Sequence, residues 1–162
     1  LAAMDGLERG LSEGHPFQFI HRRMLQELPL PVIPVLLNTF DPPNQPTPRR
    51  CVALGNALRE LIAAWPEDLR VGVIASGGLS HFVVDEELDQ KVINALRMKD
   101  SATLAALDPR LLQAGSSEIR NWLVVGAMAQ DLDLEWVEYI PAYRSPALTG
   151  TGLVFAAGST SD

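Results

Sequence analysis

The stretch Val71-Gly-Val-Ile-Ala-Ser-Gly-Gly-Leu-Ser-His81 decides how the chain around it folds. Its first half, Val71 to Ala75, is a short apolar run bounded by turn residues, which predicts a buried strand of a parallel or mixed sheet. Ser76-Gly77-Gly78 then breaks the strand, because glycine accepts positive φ without steric cost. The turn delivers Ser80 and His81 to the strand's carboxyl end, the edge where open α/β sheets place ligands. An imidazole there can gain and lose a proton near neutral pH. Taken alone, the stretch also reads as a plain strand-to-loop turn with a polar residue facing water. Ser80 and His81 are neighbours, so they are poorly placed to form a serine–histidine dyad with each other.

Upstream, Val32 to Leu37 predicts a second strand, with Pro34 pointing to an edge position or a bulge. Asn38 to Arg50, NTFDPPNQPTPRR, is a proline- and amide-rich loop, stiff enough to carry binding groups. Cys51 to Trp65 reads as an amphipathic helix with Leu54, Leu58, Leu61 and Ile62 on one side. Strand, loop, helix and strand from Val32 to Ala75 then make a βαβ unit. Helices are also expected over Met4 to Leu11 and Phe17 to Leu28, the latter ended by Pro29 and Pro31. Downstream, Asp85 to Arg97, Ser101 to Leu107, Asp108 to Gln113 and Glu118 to Gln130 read as helices, Asp108-Pro109 as a cap and first residue. Leu134 to Tyr143 alternates like a strand, Leu153 to Ala157 is a last strand, and Gly158 to Asp162 is expected to be a disordered tail. The fold class that follows is α/β, a single domain over residues 1–162 with a central mixed β-sheet flanked by helices on both faces.

Composition excludes several function classes. The formal net charge is −7 over 162 residues, and an acidic surface repels phosphate backbones, so no nucleic-acid partner is expected. A single cysteine, Cys51, excludes an internal disulfide and fits a reducing cytoplasm. No apolar run approaches the roughly 20 residues that span a bilayer, so no membrane partner is expected either. Leu1 to Gly14 lacks the apolar core of a secretory signal. A first residue of Leu rather than Met suggests a processed or partial polypeptide.

Four pieces of sequence together resemble one family: the Asn38–Arg50 loop, Gly77-Gly-Leu-Ser-His81, Ala114-Gly-Ser-Ser-Glu-Ile-Arg-Asn-Trp122, and Tyr139-Ile-Pro-Ala-Tyr143 followed by Gly150-Thr-Gly-Leu-Val-Phe155. It is the class III extradiol ring-cleaving dioxygenases, of which the protocatechuate 4,5-dioxygenase β subunit is the type. The resemblance runs from about Pro31 to Ala157. It implies a non-haem Fe(II) held by two His and one carboxylate, one face open to the hydroxyls of an aromatic diol and to dioxygen. The iron would carry the hard redox chemistry.

On this resemblance His81 is the catalytic acid–base, moving protons off the substrate hydroxyl and onto the peroxidic oxygen. Glu118 is the carboxylate metal ligand, although as a residue it also reads as favourable charge in a helix first turn, worth about 0.3–1 kcal/mol. His15 and Ser80 are the implied substrate contacts. His21, on an amphipathic helix, reads as a half-buried surface residue. The family's two imidazole ligands come from an N-terminal half, and this chain has only three His. It is therefore expected to be the C-terminal portion of such an enzyme, with an oligomer mate or partner chain supplying the rest. Alone it should hold Fe(II) weakly and be inactive.

Two other readings stay open on sequence grounds. One is a metal-free relative using the same scaffold for protein interaction, favoured by the missing His pair. The other is an unrelated small-molecule-binding α/β domain with a coincidental turn, opposed by the pairing of His81 with Glu118.

Overall fold

The computed structural model describes residues 15–25 and 30–160. The chain divides into two compact units, Leu1–Leu36 and Leu37–Asp162. In the first, helix α1 (His15–Phe19) runs into one π turn, Ile20–Met24. This is the described part of the helix expected over Phe17 to Leu28; the helix expected over Met4 to Leu11 lies outside the described residues.

Val32 to Leu37 forms no strand. Pro31 and Pro34 remove ladder donors from so short a window, and Ile33 and Leu36 are 81% and 71% exposed. Val71 to Ala75 also departs from expectation. It carries no regular structure, and Val71 and Ile74 face solvent. A buried parallel strand needs a neighbour on each side, and the described strands pair only with one another. The βαβ unit expected between these two runs is consequently absent from the described residues.

The second unit is built from locally signalled elements. Thr47 caps α2 (Pro48–Ala63) by accepting from the Arg50 amide, with Pro48 at the first helical position. That cap sets the start three residues ahead of Cys51. Strand β1 (His81–Val83) follows the glycine turn. Asp85 caps α3 (Glu86–Arg97), and Asp100 caps α4 (Ser101–Ala105). Two 3₁₀ turns, Pro109–Leu111 and Ala114–Glu118, lead into α5 (Ile119–Met128). Strands β2 (Asp133–Tyr143) and β3 (Thr149–Ser159) close the chain as a long hairpin.

The α/β class is as expected. Among the described residues its sheet is three-stranded and antiparallel, in the order β1-β3-β2, with no parallel pair. Register runs from Asp133↔Ser159 to Tyr143↔Gly150, with one irregularity between Leu134 and Trp136. Gly158 and Ser159 thus belong to β3 rather than to the expected tail.

The core lies among α2, α3, α4, α5 and the inner side of β3, where Cys51, Val92, Leu104, Leu123 and Val154 meet. Helices α2 and α5 pack tightly at Gly55, where a Cβ would overlap the Val124 carbonyl oxygen and lie 2.7 Å from Ala127 Cβ.

Candidate active site

The glycine turn and the segment around Glu118 are latched together across 35 to 45 residues of sequence. Asn121 Nδ2 donates to the Ser76 carbonyl at 2.8 Å and Trp122 Nε1 to the Gly77 carbonyl at 2.9 Å. The Gly78 amide donates to Glu118 Oε2 at 3.2 Å, and the His81 amide to Ser116 Oγ at 2.9 Å. Each link spends a polar group of an irregular segment that secondary structure would leave unpaired.

The close approach explains the glycines. Gly77 sits at φ 133°, and a Cβ there would lie 2.7 Å from Glu118 Oε2. A Cβ on Gly115 would overlap His81 Cβ. Phe82, immediately after His81, is held at φ 67°. An aromatic residue in that region costs about 1–3 kcal/mol, and such strain collects at functional sites.

The His81 ring is oriented by its own turn. Nδ1 lies 2.9 Å from the Leu79 carbonyl oxygen. A carbonyl can only accept, so in the neutral ring Nδ1 carries the hydrogen and Nε2 the lone pair. Nε2 faces Glu118 Oε2 at 3.7 Å, with side chains 23% and 44% exposed. That distance is too long for a hydrogen bond, and both atoms are acceptors until the ring is protonated. A proton or a cation between them would relieve the opposition. His81 and Phe82 also line a cleft of about 420 Å³ with Arg144, Thr149, Gly150 and Thr151, which Glu118 does not line.

His81 and Glu118 are therefore brought together. Ser80 is fully buried, its hydroxyl donating to Asp89 Oδ2 at 2.7 Å and accepting from the Asp85 amide at 3.0 Å. His15 opens α1 and His21 lies in the π turn, both in the first unit, with side chains outside the described set. The Asn38–Arg50 loop spends its amides on itself, Asn38 on Asp41 and Gln45 on the Thr39 and Phe40 carbonyls.

Two buried charged residues escape sequence reasoning. Arg120, 1% exposed, donates to the carbonyls of Pro46 and Leu112, and burial draws its pKa below the usual arginine range. Asp89, fully buried, accepts from Ser80 and Tyr139. Tyr139 is pushed well above the ordinary phenol range, first by burial and then by that bond. Both residue types are ordinarily exposed. The one available signal is Asp89's place one turn into α3, which reads equally well as helix-dipole charge.

No three His, Cys, Asp or Glu side chains among the described residues are grouped so as to hold a metal ion. Around His81 the donor set is Glu118 alone, one carboxylate where a facial triad needs two imidazoles besides. The residues described thus do not by themselves make an iron site.

Residues 13–155 match the family described as the catalytic LigB subunit of aromatic ring-opening dioxygenase. The chain belongs to that family. Among curated relatives, this LigB-family chain is similar to gallate dioxygenase of Pseudomonas putida, 27% identical over 140 residues that cover 75% of this chain and 38% of the relative. It also resembles the 2,3-dihydroxyphenylpropionate/2,3-dihydroxicinnamic acid 1,2-dioxygenase of Mycobacterium ulcerans, 51% identical over 51 residues that cover 32% of this chain and 15% of the relative. The chain thus spans well under half the length of either. No described helix of the LigB-family chain is long and apolar enough to cross a membrane.

Proposed function

We propose that this chain supplies the proton-transfer part of an extradiol ring-cleaving dioxygenase acting on a catecholic acid. The observation that carries the reading is the His81 ring, held through Nδ1 so that the Nε2 lone pair faces the Glu118 carboxylate 3.7 Å away.

In this reading the His81 Nε2 takes the proton from a substrate hydroxyl and later returns it to an oxygen of the cleaved product, acting as general base and then general acid. The Leu79 carbonyl keeps the Nδ1 hydrogen in place throughout. Glu118 offsets the positive charge that His81 acquires, and among the described residues its second oxygen takes no hydrogen bond and can take on a further role. Arg144, lining the cleft beside His81, supplies charge for a substrate carboxylate, which the printed names of both relatives include as gallate and dihydroxyphenylpropionate.

Glu118 is also the residue assigned here as the carboxylate ligand of Fe(II), with the imidazole ligands supplied from outside the described residues. Bound iron would supply the electrons that let dioxygen react with a singlet aromatic. No step assigned to the side chains above runs through it. The cytoplasm, as the compartment, belongs to the same proposal.

The test is a pair of variants in the full-length protein carrying this chain. His81→Ala should keep its iron content and lose roughly 10²–10⁴-fold in turnover of gallate or 2,3-dihydroxyphenylpropionate, the usual share of general acid–base catalysis. Glu118→Ala should lose iron. The reverse pattern, with iron lost from His81→Ala and kept in Glu118→Ala, overturns the assignment. The 162-residue chain alone should show no tight stoichiometric Fe(II) and no turnover; either would show that its own residues complete the site.

A further inference from the structure

We propose that Asp89 is a positioning residue for His81, its buried carboxylate anchoring Ser80 so that the imidazole is held in a single tautomer. Asp89 lies in the first turns of α3 and is fully buried. Its Oδ1 accepts the Ser80 amide at 2.8 Å, and its Oδ2 accepts the Ser80 hydroxyl at 2.7 Å and the Tyr139 hydroxyl at 2.8 Å. No Lys, Arg or His pairs with it among the described residues. A buried carboxylate satisfied only by neutral donors is a costly way to fill a core. What it secures is the residue immediately before His81.

Every other polar group of Ser80 is held as well. Its carbonyl accepts from the Gly152 amide at 2.8 Å, while the Leu79 amide donates back to the Gly152 carbonyl at 2.9 Å. Its hydroxyl accepts the Asp85 amide. A Cβ on Gly152 would overlap Asp89 Oδ2, so β3 approaches closely because it must reach this carboxylate and this turn together. The consequence falls on the ring. The Leu79 carbonyl that receives the Nδ1 hydrogen is the group just before Ser80. Its direction depends on the Leu79–Ser80 peptide, and the amide of that peptide donates to Asp89 Oδ1. Asp89 thus orients the carbonyl that selects the tautomer, without touching the ring.

The inference rests on the reading of His81 as the proton-transfer group for its catalytic consequence, but its test reads the ring directly. Long-range proton–nitrogen NMR on the histidines, with His81 assigned by its loss in His81→Gln, gives the tautomer. The wild-type chain should show His81 with hydrogen on Nδ1. In Asp89→Ala, which removes the acceptor of the Ser80 amide together with that of its hydroxyl, the preference should relax by about fivefold, the weight of one hydrogen bond. Tyr139→Phe leaves both Ser80 links and should not change the ring. A folded Asp89→Ala whose ring stays in the Nδ1–H form overturns the proposal and makes Asp89 a core polar group only. If Asp89→Ala fails to fold, Asp89→Leu carries the same test by filling the space without any acceptor: a relaxed ring supports the proposal and an unchanged one overturns it. In full-length protein the relaxed ring should lower kcat more than it raises KM. A relaxed ring with unaffected turnover would instead sink the catalytic role of His81 and leave the positioning intact.

Discussion

Replacing Arg120 with Met should destabilise the second unit by about 2–4 kcal/mol, and the structure says why the sign is not obvious. Exchanging a buried charge for a well-packed apolar group is often neutral or stabilising by about 1–4 kcal/mol. That gain applies when both partners are exchanged. Here the partners are backbone carbonyls, of Pro46 at 2.8 Å from Nε and of Leu112 at 2.6 Å from one terminal nitrogen, and no mutation of Arg120 removes them. The Leu112 acceptor is buried and the Pro46 acceptor part-buried; left without donors they cost about 1–3 kcal/mol each, at most roughly 2–6 in all. Relief of the buried guanidinium takes part of that back. With a urea dependence of about 1–3 kcal/mol per molar for a domain of this size, the midpoint should fall by about 1–2 M. Hydrogen exchange should accelerate at the Asp41 and Arg50 amides, because the loop between them loses its tie to α5. A midpoint within about 0.3 M of wild type, with unchanged exchange in that loop, would refute the idea that the guanidinium pins loop 38–50 to the helix carrying the site.

Gly55→Ala should destabilise although alanine is the better helix former by about 1 kcal/mol. The new methyl would overlap the Val124 backbone oxygen, which no rotamer change relieves, and overpacking costs about 1–3 kcal/mol. Gly126→Ala, which meets the movable side-chain ends of Leu96 and Leu104 and no backbone, should cost less; a thermal-unfolding ranking in the opposite order would contradict the account. Burial pushes the Cys51 thiol up to about 11 from 9.0. Because the folded pKa is the higher, the contribution of Cys51 to stability is intact below pH 9 and is lost as pH rises toward 11. Chemical denaturation across that window should show the decline in wild type and a weaker one in Cys51→Ala. The native thiol should also stay slow toward a thiol reagent at neutral pH, since the thiolate is the reactive form.

The parts of this chain legible in its sequence are those whose signals are local. The amphipathic run from Cys51, the acidic start at Asp85 and the run from Ser101 locate three helices to within a turn of where they begin. The alternation of Leu134 to Tyr143 gives β2, because period 2 needs only the strand itself. Val71 to Ala75 shows the limit. An apolar run records a demand for burial and says nothing of which strand meets it, and in the described residues no strand does.

The site followed the same division, with one exception. Gly77, Gly78 and Gly115 mark where two segments come too close for side chains, but the sequence does not say which segments. The resemblance paired the two motifs, and the geometry gives the pairing a physical content: Glu118, Asn121 and Trp122 hold the turn from one side, while Asp89 and Gly152 hold it from the other. A histidine ring whose polar partners are one carbonyl and one facing carboxylate would be free to rotate on an ordinary loop. Here Ser80, on one side of it, is buried and bonded through every polar group, and Phe82, on the other, is strained. The backbone thereby takes over the work that a third side chain does in a catalytic triad. It fixes the tautomer of His81, and leaves Glu118 available for something other than orienting the ring.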